Sequence, residues 1–271
     1  LPIYCEDEET IKANTQHYRE KHGDSIPFHF HPIIRSHEAC YLSTQKAVSL
    51  AQKYNTRLHI LHLSTADELS LFTPGQDITN KKITAEVCVH HLWFDDKDYN
   101  KKGAFIKWNP AVKSARDKEA LREGLKTHHL DIIATDHAPH LLSEKQNSYF
   151  KAPSGGPLVQ HSLLAMLELW KKGIFTLELL VEKMCHNPAK LFDIHKRGFI
   201  REGYHADLVL VNPNKKYVVD ENPIHYKCEW TPFSGETFSS HIETTIVNGE
   251  IAYHKGKFAS VSYAKAIEYD R

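Results

Sequence analysis

The chain carries no excess of charge of either sign, because 34 Lys and Arg balance 34 Asp and Glu. A nucleic-acid backbone or an anionic membrane surface is therefore not an expected partner. No apolar run reaches the roughly 18 residues that a membrane helix needs. No secretory leader pattern opens the sequence. Cysteine is sparse: five residues at positions 5, 40, 88, 185 and 228, with no CxxC pair. An odd, scattered set argues against a disulfide frame and for a reducing compartment, so a cytoplasmic location is expected. An initiator Met is also lacking. Leu1, Pro2 and Ile3 read as a strand already under way, and the chain is expected to be the C-terminal piece of a longer one.

What is present is an ordinary globular balance. Hydrophobic residues make up 41% and charged residues 25%, which excludes a disordered chain. A length of 271 residues allows one or two domains. Twenty histidines are many for this length. Imidazole is the commonest metal ligand and carries protons near neutral pH, so the count directs attention to a site.

Strands and helices alternate up to about residue 136. Residues 2–5 form a short strand, and Asp7 caps a helix with Glu8 and Glu9 in its first turn that ends at Gly23. Ser36 caps a second helix with Cys40, Ala47, Ala51 and Tyr54 on one stripe. A strand over 58–63, a helix over 66–72, a strand over 83–90, a helix over 114–126 and a buried strand over 131–135 follow. This alternation predicts parallel βα units. Four such units in about 140 residues amount to half of an eight-unit barrel, which takes about 250 residues. Residues 160–193 read as helical. After Gly198 the texture turns to β, and Asn248-Gly249 marks a hairpin. The expected division is residues 1–196 and a β-rich segment, residues 197–271.

The sharpest segment is Thr135-Asp136-His137-Ala138-Pro139-His140, placed where a buried parallel strand ends. Catalytic groups of α/β barrels cluster at such ends. A carboxylate there can bind a metal or move a proton between water and substrate, and it can also be a plain cap. His62 ends the strand 58–63, where alternation puts it on the face of Leu58 and Ile60. It reads as a ligand or as a hydrogen-bonded core residue. The pair His29 and His31 imitates a metal-binding HxH, but prolines flank it and no apolar strand precedes it, so it is set aside. Glu86, Cys88 and His90 share a face, and His90-His91 reads as a structural polar network ahead of a ligand pair. Asn109 either contacts a substrate carbonyl or shapes a turn after a strand at Lys107. The loop Ser154-Gly155-Gly156-Pro157 lets backbone approach a ligand.

Together these segments resemble the dihydroorotases of the amidohydrolase superfamily. The carriers are Cys5-Glu6-Asp7, RLHILHLST (57–65), Asn109-Pro110 and above all TDHAPH (135–140). SGGPLVQHSL (154–163), HNPAKLF (186–192), REGYHADLVLV (201–211) and IVNGEIAY (246–253) extend the likeness over nearly the whole chain. The resemblance implies the C-terminal half of a (β/α)₈ barrel followed by strands of a small β domain. It implies reversible hydrolysis of the cyclic amide of dihydroorotate to N-carbamoyl-aspartate, in pyrimidine synthesis, with one or two zinc ions. By resemblance His62 and Asp136 are zinc ligands, and Asp136 is also the acid/base. Asn109, His140 and the loop Gly155, Gly156 and Pro157 are contacts to the substrate.

Three departures accompany the resemblance. The family's HxHxR motif and its metal-bridging lysine are not found in these residues, and Tyr4 stands where the family has a ligand His before Cys-Glu-Asp. A phenol with a pKa near 10 is a poor zinc ligand. The isolated chain is therefore expected to bind zinc poorly and to be inactive. The expected partner is a small-molecule substrate, with no nucleic acid and no membrane, and a homodimer remains open. Two other readings also stand: another cyclic-amide hydrolase of the hydantoinase or allantoinase type, and a non-catalytic amidohydrolase-like scaffold.

Overall fold

The computed structural model describes residues 1–75 and 77–270. Arg271, the end of the expected β-rich segment, lies outside them. The chain forms two units, one of Leu1–Ser162 with Ile224–Ser234, the other of Leu163–Pro223 with the residues from Gly235 onward.

The first unit is built on four parallel strands: β1 (Pro2–Ile3), β2 (Leu58–Ile60), β3 (Ile83–Cys88) and β4 (Ile132–Ala134). They lie side by side in chain order, and each pairs parallel with the next. Parallel neighbours need long crossovers, and the sequence supplies them as helices. Glu8–His22 and His37–Lys53 connect β1 to β2, and Ala115–Lys126 lies between β3 and β4. Their starts are set by side chains that satisfy free backbone amides. Asp7 accepts from the Thr10 amide at 2.9 Å, Ser36 accepts from the Ala39 amide at 3.2 Å, and Ser114 and Asp117 form a reciprocal capping box. Leu58, His59 and Ile60 are all buried, so β2 is covered on both faces, as expected for a parallel sheet.

Several local expectations differ from the structure. The helix expected over 66–72 is a 3₁₀ segment, Asp67–Leu71. Pro74 and Gly75 leave no room to propagate an α-helix past its costly nucleus, and the buried Glu68 carboxylate instead accepts from the hydroxyls of Thr44 and Thr65 at 2.7 and 2.8 Å. The strand expected over 58–63 stops at Ile60, and that over 83–90 stops at Cys88. His90 and His91 lie in the short helix Val89–Trp93 instead. Lys107 follows a 3₁₀ segment, Gly103–Ile106, rather than closing a strand.

The second unit holds β5 (Leu208–Asn212), β6 (Tyr217–Val218), β7 (Thr237–Phe238), β8 (His241–Val247), β9 (Glu250–His254) and β10 (Lys257–Phe258). Four of these form an antiparallel sheet in the order β10-β9-β8-β5, and β6 pairs with β7. The β8–β9 hairpin turns on Asn248 and Gly249, both at positive φ (52° and 87°), as the Asn-Gly pair predicts. The helices Leu177–Val181 and Asn187–Leu191 flank a π-helical turn, Glu182–His186. Among the described residues no helix is long and apolar enough to cross a membrane.

Candidate active site

Parallel pairing brings the C-terminal ends of β1 to β4 to one edge of the sheet. Tyr4 follows β1, His62 follows β2, Cys88 ends β3 with His90 and His91 just after it, and Asp136 follows β4. Residues far apart in sequence thus meet where α/β barrels place their chemistry. His62 and Asp136 both leave their strands in the left-handed region, with φ of 39° and 45°. Non-glycine residues rarely adopt it, and its cost of about 1–3 kcal/mol persists where surrounding structure imposes it.

His62 is buried, and its Nδ1 has no hydrogen-bond partner. Its backbone amide donates to Glu86 at 3.4 Å. Behind it, His59 bonds through Nε2 to the Glu86 carboxylate at 3.1 Å and through Nδ1 to the Thr84 hydroxyl at 2.9 Å. The Asp136 carboxyl is pushed above the usual carboxylate range. Burial is the main cause, the nearby His62 imidazole pulls the other way, and the Glu86 charge adds to the rise. A rise of this direction makes the carboxylate a stronger proton acceptor than an exposed one.

Tyr4 does not aim its oxygen at this pair. Its ring stands edge-on to His62, with centroids 5.2 Å apart. Its hydroxyl donates to Glu6 and accepts from Arg35, which also pairs with Glu6. Burial first, and then the Glu6 charge, hold the phenol well above its ordinary pKa. It remains a neutral hydrogen-bonding group, not a phenolate donor.

Zinc takes three or four protein or water ligands. The unpartnered His62 Nδ1 and the Asp136 carboxylate are of the right chemistry. Among the described residues, however, the three-donor group within reach of a common ion consists of Cys88, His90 and His91, not of these two with a third. Zinc is therefore not fitted by His62 and Asp136 alone.

The other candidate residues lie in the segment after Asp136, in the glycine loop and at Asn109. His140 bonds through Nε2 to the Ser154 carbonyl at 3.0 Å, and its own carbonyl accepts from the Trp230 indole at 2.7 Å. The amide of Ala138 donates to Gly156 and that of Gly155 to Lys107, at 3.1 and 2.8 Å. These bonds stitch the glycine loop to the end of β4. Both glycines are required sterically. A Cβ on Gly155, whose φ is 118°, would meet the Ala138 carbonyl at 2.7 Å, and one on Gly156 would meet the Trp108 ring at 2.7 Å. Asn109 Oδ1 is buried and without a partner, so it remains available as an acceptor.

His31, from the pair set aside above, has both nitrogens occupied, by the Tyr149 hydroxyl at 2.8 Å and the Trp108 carbonyl at 2.7 Å. The sequence reading missed Lys107 and Lys145. Lys145 donates to the carbonyls of Pro153 and Gly155 at 2.9 and 2.8 Å, and Lys107 to those of Tyr149 and Ala152 at 2.8 and 2.6 Å. The buried Lys145 amine thus holds the glycine loop itself, and the Lys107 amine holds the segment that leads into it. Burial pulls the pKa of Lys145 down to about 7 and that of Lys107 down to about 8. No sequence signal distinguishes them from surface lysines.

The chain matches the amidohydrolase family over residues 29–252. It is 32% identical to a dihydroorotase of Methanosarcina acetivorans over 258 residues, which are 93% of this chain and 54% of that protein. It is 38% identical to a dihydroorotase of Acetivibrio thermocellus over 208 residues, 75% of this chain and 48% of that one. Among solved structures it superposes on the L-hydantoinase (dihydropyrimidinase) of Arthrobacter aurescens with a TM-score of 0.86 at 25% identity, covering 95% of this chain and 58% of the other. The chain thus spans about half the length of the curated relatives it matches. On the family match over residues 29–252 and the identity to curated relatives, the chain belongs to the amidohydrolase family.

Proposed function

We propose that this chain carries part of the active site of a dihydroorotase, which opens and closes the cyclic amide of dihydroorotate. The observation that carries this reading is the likeness to curated dihydroorotases, at 32% identity over 93% of the chain in one of them. The parallel sheet supports the expectation that residues 1–196 are the second half of a (β/α)₈ barrel, with residues 197–271 as a β-rich segment. Amidohydrolases generally use metal ions. Zinc is the ion the resemblance implies, with His62 and Asp136 as this chain's share of its donors.

The residues then divide the work. Asp136, tuned upward by burial, takes the proton of the attacking water and passes it to the leaving ring nitrogen. Asn109 offers its unpartnered side-chain oxygen to a ring N–H. His140 contacts the substrate carboxylate, and the backbone of Gly155, Gly156 and Pro157 closes over the ring. Lys145 keeps that backbone in place through the Gly155 carbonyl, and Lys107 secures the segment before it, which preserves reactive geometry.

A second reading, a hydantoinase-type hydrolase, is favoured by the fold likeness to the Arthrobacter aurescens protein. The test is an assay of the complete gene product, of whatever length, on dihydroorotate, hydantoin and allantoin. Turnover of dihydroorotate alone supports the proposal. Turnover of hydantoin or allantoin without dihydroorotate replaces it with the second reading. No turnover of any, with the protein folded and metal supplied, leaves the non-catalytic scaffold.

A further inference from the structure

Cys88 ends β3, His90 and His91 lie in the short helix Val89–Trp93 that follows, and no part of the reaction outlined above uses them. All three are buried: Cys88 and His90 are 0% exposed and His91 is 2% exposed. One ligand atom from each lies within 4.8 Å of the others. The sequence reading treats the histidines as a structural polar network, yet both nitrogens of His90 lack a hydrogen-bond partner, as does Nδ1 of His91. Buried imidazole nitrogens without partners are costly, and native proteins rarely leave several together.

The remaining contacts prepare these donors for coordination. His91 Nε2 is bonded to the Pro110 carbonyl at 3.2 Å. A carbonyl only accepts, so the proton sits on Nε2 and the Nδ1 lone pair is free. Metal-ligating histidines are commonly fixed this way, through the other nitrogen. The His90 ring stacks on Trp108, with centroids 4.3 Å apart and planes 14° apart, which fixes the direction of its nitrogens. The two imidazole centroids are 4.0 Å apart. Burial keeps both imidazoles neutral, the form that binds metals.

We propose that Cys88, His90 and His91 form a thiophilic d¹⁰ cation site, for Zn(II) or Cu(I), with one thiolate and two imidazole donors. Entry of the ion releases the Cys88 proton to solvent. A thiolate with two neutral imidazoles balances Cu(I) to zero and leaves one positive charge on Zn(II). The Glu86 and Asp136 carboxylates, which act on Cys88, offset such a charge. Soft sulfur selects these ions over Mg(II) or Ca(II). Three protein donors leave a fourth position for water or a small ligand. This inference does not depend on the proposed reaction.

The test uses the full chain, freed of metal and kept reduced, titrated with Co(II) as the spectroscopic stand-in for Zn(II) and, separately, with Cu(I) against a chromophoric chelator. The expected result is a sulfur-to-cobalt charge-transfer band that is lost in Cys88→Ser. It should persist in the double variant His62→Ala with Asp136→Asn, which removes the neighbouring donors. Tighter Cu(I) binding than in Cys88→Ser, by at least about tenfold, identifies the monovalent ion as a cargo; band formation with Co(II) and no Cu(I) preference identifies Zn(II). X-ray absorption on the unaltered chain guards against misfolding of the variant, with one sulfur expected at about 2.3 Å and nitrogens at about 2.0 Å from zinc. A band that survives Cys88→Ser, or that vanishes with His62 and Asp136, overturns the proposal. So does a metal shell without sulfur.

Discussion

The Tyr4 ring stands edge-on to the His62 imidazole, with centroids 5.2 Å apart and planes at 76°, while its hydroxyl is engaged by Glu6 and Arg35. Tyr4, which follows β1, therefore offers His62 a ring edge rather than a donor atom. Replacing Tyr4 by His exchanges that edge for an imidazole beside His62 and Asp136. Zinc affinity of the Tyr4→His chain should rise by at least about tenfold, since a third donor completes the minimum set. Competition with a chromophoric chelator measures it, with both chains carrying Cys88→Ser so that the Cys88, His90 and His91 donors do not hold the ion, and equal affinities in the two chains would remove Tyr4 as the limiting position.

Asp136 is the group on which the proposed reaction turns. Asp136→Asn keeps shape and removes the proton acceptor, so turnover by the complete gene product should fall by about 10²–10⁴-fold. Its melting temperature should remain within a few degrees. Because burial raises the Asp136 pKa, the base form appears only above the ordinary carboxylate range. Activity should therefore increase with pH through that raised value, and kcat/KM measured from acid to neutral pH shows the limb. A flat acid limb would count against Asp136 as the base.

Gly156 faces the Trp108 and Trp230 rings, where a Cβ would sit 2.7 and 3.0 Å from their atoms. Neither ring can move freely, since Trp108 is fully buried and Trp230 is tied to the His140 carbonyl. Gly156→Ala should destabilise the first unit by about 1–3 kcal/mol, the usual cost of overpacking. Urea unfolding measures this directly. A loss under about 0.5 kcal/mol would mean that the loop is less tightly seated than the contacts indicate.

Lys145 couples stability to pH with a definite sign. Its folded pKa is lowered to about 7, chiefly by burial and further by Lys107, below the ordinary value of 10.5. Between these values the unfolded chain holds more protons than the folded one, so stability rises with pH across that window. The unfolding free energy of the chain should be higher at pH 9 than at pH 7, and the rise should shrink in Lys145→Met. An identical slope in both proteins would show that the amine remains charged on its carbonyls.

Much of the site was legible because it lies in short runs with strong local meaning. Thr135 to His140 follows a buried strand, and Asp7, Ser36 and Ser114 announce helix starts through side chains that reach only three residues. The Asn248-Gly249 turn was legible for the same reason. His90 and His91 were less so: alternation extended the strand through them, whereas β3 ends at Cys88 and the helix Val89–Trp93 begins. Period-2 logic does not carry past the end of a strand, and the cluster with Cys88 depends on that change of geometry. Lys107 and Lys145 were invisible because their partners are backbone carbonyls, which every sequence possesses.

The sequence by itself determined the alternation of strands and helices, the caps, the hairpin, and the chemistry available at residues 62 and 136. These follow from local propensity, hydrogen bonding over a few residues and side-chain type. Only the tertiary structure decided that Tyr4 turns its hydroxyl to Arg35, that Cys88, His90 and His91 converge with unpartnered nitrogens, and that Lys145 holds the glycine loop while Lys107 holds the segment before it. Each of those depends on groups brought together across the sheet or its loops, and on the burial that removes water as an alternative partner. In that setting an unpaired donor or acceptor is costly, so the partner a group finds, or fails to find, becomes a property of the fold.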